Sequence, residues 1–351
     1  MSTGTPRDGT RGTHYLVTGA SGFLGRHLLE AESASAAAAP MLALVRDRGA
    51  WQRYAWTRRL ARVDVIEAEL AGAGALDASL PPLRGIYHLA ALVRHSRRGS
   101  AEVQRTNVEG ALHMVRLAAR HGCRLVIAST SGTVACFERA DVWADEDSPY
   151  CLETVADWPY YRSKIEMEQR ATALAAELGV DLVRVRPPVL LGPGDHRLRS
   201  TAIVRRAIRG EFAFVVRGGM HFSDVRDAAQ ALRRAMLRRE ARPVYHLDGT
   251  ACSLAEFFAM LAALSGRPAP RRTLPYALAW GLASANAQLE RWLRGARIFP
   301  LPDPVVVEMA SHHWGMRSRY AAADLGYASR DPRETLRDTI AWLRSHDASL
   351  A

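Results

Sequence analysis

From residue 14 onward, short apolar runs alternate with segments whose apolar residues recur every three to four positions. The runs "HYLVTGA", "MLALVR", "GIYHLAAL" and "RLVIAST", with a further one inside "ARVDVIEAEL", read as buried strands. Between them, "FLGRHLLEAESA" and "AEVQRTNVEGALHMVRLAARHG" carry helical spacing, the latter predicting one helix of about six turns. A loop-like stretch (132–158) follows, then a helix over "YYRSKIEMEQRATALAAELG" and a strand over "DLVRVRPPVLLG". Apolar strands alternating with amphipathic helices predict an α/β fold with a doubly wound parallel sheet.

Past Gly192 the alternation becomes irregular. Only "FSDVRDAAQALRRAML" and "PVYHLDG" read as a helix and strand returning to the sheet. The expected organisation is a disordered tail (1–12), a first domain over 13–192 plus 220–248, and a smaller mixed C-terminal domain over 193–219 plus 249–345. The alanine-rich "ASAAAAP" (34–40) is expected to end the first helix.

Composition narrows the class. A chain of 351 residues with 48% hydrophobic and 24% charged side chains can bury a sizeable core as a soluble globular protein. The late apolar stretch "TLPYALAWGLASANAQL" (273–289) is interrupted by Ser284, Asn286 and Gln288, so no integral membrane segment is expected. The N-terminal residues lack the apolar core of a secretory signal, and the four cysteines show no metal-ligand spacing. A cytoplasmic location and no metal are therefore expected. The net charge of +11 is carried by arginine, with clusters at Arg94–Arg98, Arg205–Arg209 and Arg233–Arg239. These fall on the polar faces of predicted helices without interleaved aromatics, so nucleic acid is not an expected partner.

Candidate chemistry begins at "VTGASGFLG", which sets Gly19, Gly22 and Gly25 between the first strand and first helix. A diphosphate can rest there on helix N-terminal amides. One glycine serves the tight turn, the next lets backbone approach the phosphates, and the third lets helix pack on strand. The GxxGxxG spacing, with Ser21, Phe23 and Leu24 inside it, resembles the extended short-chain dehydrogenase/reductase family. That resemblance implies a Rossmann-type dinucleotide-binding domain, a C-terminal substrate-binding domain and a nicotinamide cofactor. Arg46, after the second strand, offers a guanidinium to a 2′-phosphate, so NADP is expected ahead of NAD. Glu69-Leu70 stands nearest the family's adenine contact. "HLAA" (88–91) matches the segment, with Leu89, Ala90 and Ala91, along which the cofactor lies. "NVEG" (107–110) implies that Asn107 organises the active site.

The hexad "PYYRSK" places Tyr160 four residues and Tyr161 three residues before Lys164, the single lysine of the chain. Both spacings bring a tyrosine near the ammonium on a helix, so geometry alone leaves either as partner. An ammonium stabilises a phenolate and lowers a tyrosine pKa from about 10, as general acid/base work on a carbonyl requires. The family pattern YxxxK selects Tyr160. Tyr161 is then left to pack nearby or face substrate. A hydroxyl to hold the reacting oxygen is expected after the fifth strand in "IASTSGTVA", where Ser129 and Ser131 point the same way. The resemblance favours Ser131, with Thr133 touching substrate.

"RPPVLLGPGD" (186–195) resembles the family's sixth-strand motif, with Pro187 and Val189 beside the nicotinamide. "FSDVRDAA" (222–229) and "YAAADLGY…PRETLRDTIAWL" (320–343) extend the likeness over roughly residues 14–343. It also implies a homodimer formed through the Tyr160–Lys164 helix. Ala135-Cys136 stands where nucleotide-sugar members carry Tyr-Gly. The expected reaction is therefore interconversion of a ketone or aldehyde and an alcohol on a lipophilic small molecule, as in dihydroflavonol-reductase and 3β-hydroxysteroid-dehydrogenase-type members. "LPYALAWGLA" is expected either to line the pocket or to pack on the core. The alternatives are a nucleotide-sugar epimerase with tightly held NAD, and a cofactor-binding sensor without turnover. The intact Ser131, Tyr160 and Lys164 argue against the sensor.

Overall fold

Strands apolar at nearly every position need cover on both faces, and the central sheet receives it. The computed structural model describes residues 12–35, 39–70, 80–212, 214–293, 301–347 and 350. Its strands are β1 (His14–Thr18), β2 (Met41–Val45), β3 (Val63–Glu67), β4 (Leu83–His88), β5 (Arg124–Ala128) and β6 (Leu182–Arg186). Then come β7 (Val189–Leu191), β8 (Val215–Val216), β9 (Gly219–Asp224), β10 (Val244–His246), β11 (Thr250–Ser253) and β12 (Thr273–Leu274). Seven form a parallel sheet in the order β10-β6-β5-β4-β1-β2-β3, with β10 returning after the chain has left it.

Helices α1 (Phe23–Ser33), α2 (Arg48–Arg53), α3 (Ser100–Gln104), α4 (Gly110–His121), α5 (Leu152–Val155) and α6 (Pro159–Leu178) connect the first strands. The later helices are α7 (Ala202–Ile208), α8 (Val225–Leu237), α9 (Leu254–Ser265) and α10 (Tyr276–Trp292). They are followed by α11 (Pro304–Ala310), α12 (Ala321–Leu325) and α13 (Pro332–His346). The period of two sorts the sheet's side chains. Tyr15, Val17, Met41, Val45, Tyr87 and Val126 meet Leu28 of α1 and Leu232 of α8 in one core. Leu16, Leu42, Leu44, Ile86, Leu125 and Ile127 meet Met114 of α4 and Met167 of α6 in the other. The order reverses at β1, which has β2 on one side and β4 on the other. At such a reversal the strand ends open a crevice suited to a ligand.

Three expectations need correction. The helix predicted over 101–122 is interrupted: Arg105–Glu109 wind as one π turn between α3 and α4. The strand predicted over "DLVRVRPPVLLG" is two, because Pro187-Pro188 supply no N–H for a ladder. The chain there steps out of the large sheet, and β7 pairs with β9 in a second sheet ordered β11-β9-β7. The sheets therefore divide at Pro187 rather than at 192, and β9 lies with the smaller part, whose core joins Phe222, Phe257, Leu336 and Ile340. The expected tail (1–12) falls almost wholly outside the described residues. The first helix ends at Ser33, with Ala34 as its cap.

The arginine clusters are engaged within the fold. Arg97 pairs with Glu308, Arg205 with Asp347, Arg233 with Glu32 and Arg238 with Asp324. Among the described residues no helix is long and apolar enough to cross a membrane.

Candidate active site

The glycine turn has a separate reason at each position. Gly19 sits at φ +69°, and a Cβ on it would lie 2.7 Å from the backbone of Leu89 and Ala90. Gly25 faces inward: its Cβ would lie 2.3 Å from the Gly19 carbonyl, so any larger residue would push α1 off β1. Gly22 is the N-cap of α1 and brings no side chain to cap it. The first-turn amides thus face a cavity of about 1040 Å³ lined by Gly19, Ser21, Gly22, Phe23 and Leu24. Arg197 reaches across to donate to Ser21 Oγ at 2.9 Å, adding a cation above the turn. An uncapped helix start, a glycine cradle and a guanidinium together fit a diphosphate. Behind them, Thr18 Oγ1 accepts from Ala90 N at 3.3 Å and bonds His88 Nδ1 at 2.8 Å, tying the ends of β1 and β4 together. Burial and the nearby Lys164 push His88 down to about 3, so its ring is neutral.

Beyond the glycine turn the cavity is lined by Arg46, Glu69 and Leu70. The acid following Arg46 is already committed. Asp47 caps α2, accepting from Ala50 N at 2.7 Å. Arg48 is likewise spent, donating to the Val65 carbonyl at 2.6 Å. Exposed Arg46 is left as the charged group presented to the cavity after β2.

Pro159 at the first position of α6 fixes the helix start, and Tyr160 and Lys164 follow one turn apart on its cavity side. Lys164 is buried, and its Nζ donates to the Ala128 carbonyl at the end of β5, 2.8 Å away. Burial lowers it to about 8, against some help from Glu168. Burial alone pushes the Tyr160 phenol above its ordinary value. In this geometry the ammonium serves the strand end, and the phenol is firmly neutral. Tyr161 also lines the cavity, but as packing: its ring lies 5.1 Å from Tyr160 and 5.3 Å from Trp314. A Cβ at Gly132 would lie 2.1 Å from that ring, which is why glycine follows Ser131.

Ser129 and Ser131 both line the cavity, as strand alternation predicts, and their surroundings distinguish them. Ser129 is fixed by its N–H, which donates to the Val185 carbonyl at 2.7 Å, and its buried hydroxyl has no hydrogen-bond partner among the described residues. Ser131 opens a short 3-10 turn, and its N–H donates to the Pro187 carbonyl at 2.8 Å. The proline pair that ends β6 therefore also anchors the candidate hydroxyl. Thr133 departs from expectation: it is fully buried, does not line the cavity, and donates to the Thr130 carbonyl at 2.9 Å. Its place is behind the site, beside Glu168. Asn107 is likewise off the cavity wall. Inside the π turn its amide accepts from Leu92 N at 2.7 Å and donates to Ser163 Oγ at 2.9 Å. It joins the loop after β4 to the Tyr160 helix. Leu89, Ala90, Ala91, Pro187 and Val189 all line the cavity.

Sequence reasoning missed His95, which has no motif to mark it. Its ring meets Tyr160 edge-on at 5.5 Å and lies nearly parallel to Tyr161 at 6.0 Å. Burial, then Arg199, lower it to about 4, so it faces the cavity as a neutral imidazole. The remaining wall is largely apolar, with Phe214, Val216, Phe258, Val307, Met309 and Trp314. "LPYALAWGLA" supplies none of it. Most of that segment lies in α10, which packs against α11, and it is α11 that brings Val307 and Met309 to the wall.

Comparison with known proteins agrees with this geometry. Residues 15–247 match the model of the NAD dependent epimerase/dehydratase family. The sterol demethylase protein B of Methylococcus capsulatus is 28% identical over 346 residues, covering 94% of this chain and 98% of that protein. The tetraketide alpha-pyrone reductase 1 of Arabidopsis thaliana is 29% identical, covering 73% and 82%. The solved structure of MoeE5 in complex with UDP-glucose and NAD superposes with a TM-score of 0.70 at 26% identity, covering 95% of this chain and 99% of that one.

Proposed function

The chain belongs to the NAD dependent epimerase/dehydratase family, and within it we propose a reductase that interconverts a lipophilic ketone and its alcohol with NADP(H). The observation that carries this reading is one shared cavity. Ser131, Tyr160 and Lys164 line it together with the glycine turn, and the rest of its wall is mostly apolar. The likeness to reductases and to a sterol-named protein supports a rigid, apolar substrate class.

The residues fit the cofactor as follows. Gly19, Ser21, Gly22, Phe23 and Leu24 would hold the diphosphate, and Arg46 a 2′-phosphate. Glu69 and Leu70 would lie by the adenine. Leu89, Ala90, Ala91, Pro187 and Val189 would flank the nicotinamide half, whose ribose falls to Tyr160 and Lys164. A bound nicotinamide supplies or accepts hydride at the substrate carbon. Ser131 donates a hydrogen bond to the carbonyl oxygen. Tyr160, kept neutral by burial, gives its proton to that oxygen as it becomes an alkoxide. Lys164 supports the phenolate that remains. His95 limits the space above Tyr160 and offers a neutral ring nitrogen to the substrate.

Two outcomes follow. Arg46→Glu is expected to raise the Kd for NADPH about 10-fold or more, from loss of a charge-assisted contact, with NADH little changed. Fluorescence titration of both nucleotides checks it, and an equal loss for the two would remove Arg46 from this role. The second concerns pH. Lys164 is charged below about 8 and loses its proton above it, so reductive kcat should hold at neutral pH and fall as pH rises through 8. A rate flat to about pH 10 would show that the ammonium is not required.

A nucleotide-sugar epimerase is the second reading, favoured by the likeness to MoeE5 and by Arg197, Arg199 and Arg206 on the cavity wall. Such an enzyme would keep NAD through purification. Denaturing the fresh protein and identifying the released nucleotide separates the two: retained NAD supports the epimerase, an empty site that takes up NADPH supports the reductase.

A further inference from the structure

Helix α10 turns Ala279, Ala283 and Asn286 into the protein and leaves a flanking face bare. Leu278, Leu282, Leu289 and Trp292 fall there, at steps of four, seven and three residues that keep them on one stripe. They are 52%, 43%, 39% and 79% exposed. A helix on a water-facing surface normally carries polar side chains in such a stripe.

The sequence around this helix is strongly basic. Between Gly266 and Pro302 the sequence holds six arginines and a single acid, Glu290. Exposed Arg271 and Arg272 precede α10, exposed Arg291 lies in its last turn, and Glu290 accepts from Asn286 at 3.1 Å. A second copy of the chain would press these cations against their equals, whereas an anionic surface would neutralise them. A tryptophan on an apolar stripe flanked by arginines suits the water–acyl boundary. The 17 residues of α10 span about 25 Å, short of the roughly 30 Å of a bilayer core.

We propose that α10 docks on the surface of an anionic lipid bilayer, with Leu278, Leu282, Leu289 and Trp292 among the upper acyl chains and the arginines at the phosphates. The placement connects to the cavity. Trp280 of α10 and Trp158, the residue capping α6, both donate to Glu308 of α11, at 2.8 and 2.9 Å. Val306 of α11 is 36% exposed and also lines the cavity. On the lipophilic-ketone reading, on which this last step rests, a substrate dissolved in the bilayer meets the cavity wall without crossing water.

Vesicle flotation of the full chain with NADPH tests the docking without using turnover, so its failure and that of the ketone reading are separable. Wild type should float with vesicles of phosphatidylcholine containing about 30 mol% phosphatidylglycerol, and ~10-fold less with phosphatidylcholine alone. The Leu278→Glu/Trp292→Glu variant should lose ~10-fold or more of that binding while retaining NADPH affinity. Quenching of tryptophan emission by brominated lipid should fall in Trp292→Phe. Wild type that stays with the aqueous fraction on anionic vesicles overturns the proposal. So does a wild-type dimer, seen by sedimentation, that the double variant dissociates while neither protein floats, because the face would then belong to a second copy.

Discussion

Tyr160→Phe is expected to lower ketone reduction by roughly 10²- to 10⁴-fold, the range that positioned proton transfer contributes, while NADPH affinity stays within about threefold. The substitution removes one oxygen and leaves the ring that packs 5.1 Å from Tyr161 and 5.5 Å from His95. Tyr161→Phe provides the internal control. Its ring contacts survive, so its effect should stay within about 10-fold in kcat/KM. Steady-state kinetics on both variants with one ketone substrate checks the assignment. Equal losses would mean that the two tyrosines act as one aromatic wall.

The largest expected effect on stability lies behind the site. Glu168 is fully buried and accepts from Arg186 Nη2 at 2.6 Å and Nε at 3.0 Å, with Tyr150 Oη 3.1 Å away. Burial alone would raise its carboxyl, but Arg186 and Arg184 outweigh it and hold the group below the usual carboxylate range. Glu168→Gln should therefore cost about 3–5 kcal/mol, because it strands the buried Arg186 guanidinium. Urea unfolding followed by far-ultraviolet dichroism measures it. Glu168→Leu/Arg186→Met, which removes both charges, should recover most of the loss. A single variant as stable as wild type would show that water or another group already compensates Arg186. The pair matters to function because Glu168 also faces Ser129 and Thr133, on the segment that carries Ser131.

The central sheet was readable because burial on both faces writes strands as apolar runs, as in β1, β2, β4 and β5, whereas β3 (VDVIE) and β6 (LVRVR) alternate. The glycine turn was readable because each glycine answers a local backbone demand. Tyr160 and Lys164 were readable from helical spacing, but choosing between Tyr160 and Tyr161 needed the family pattern. What failed depended on contacts between distant segments. The π turn at Asn107 arises because its side chain bonds Leu92 and Ser163, and no propensity marks that. Thr133 alternates correctly on a strand, but the chain turns into a 3-10 turn at Ser131 and swings it inward. The apolar "LPYALAWGLA" stayed open between pocket lining and packing because composition does not say which side of a helix meets the protein. Pro187-Pro188 was visible in the sequence, and its strand-breaking meaning was available there; the apolar residues on either side masked it.

Label transfer separates net carbonyl reduction from epimerisation. The enzyme would be given NADPH carrying deuterium at both C4 positions of the nicotinamide, with a rigid polycyclic ketone and, separately, a UDP-hexose. One deuterium is expected on the carbinol carbon of the alcohol product for each NADPH consumed, with label appearing roughly 10²- to 10⁴-fold more slowly for Tyr160→Phe and the sugar unchanged. Epimerised sugar with the nicotinamide nucleotide unconsumed, and no turnover of the ketone, would contradict net reduction.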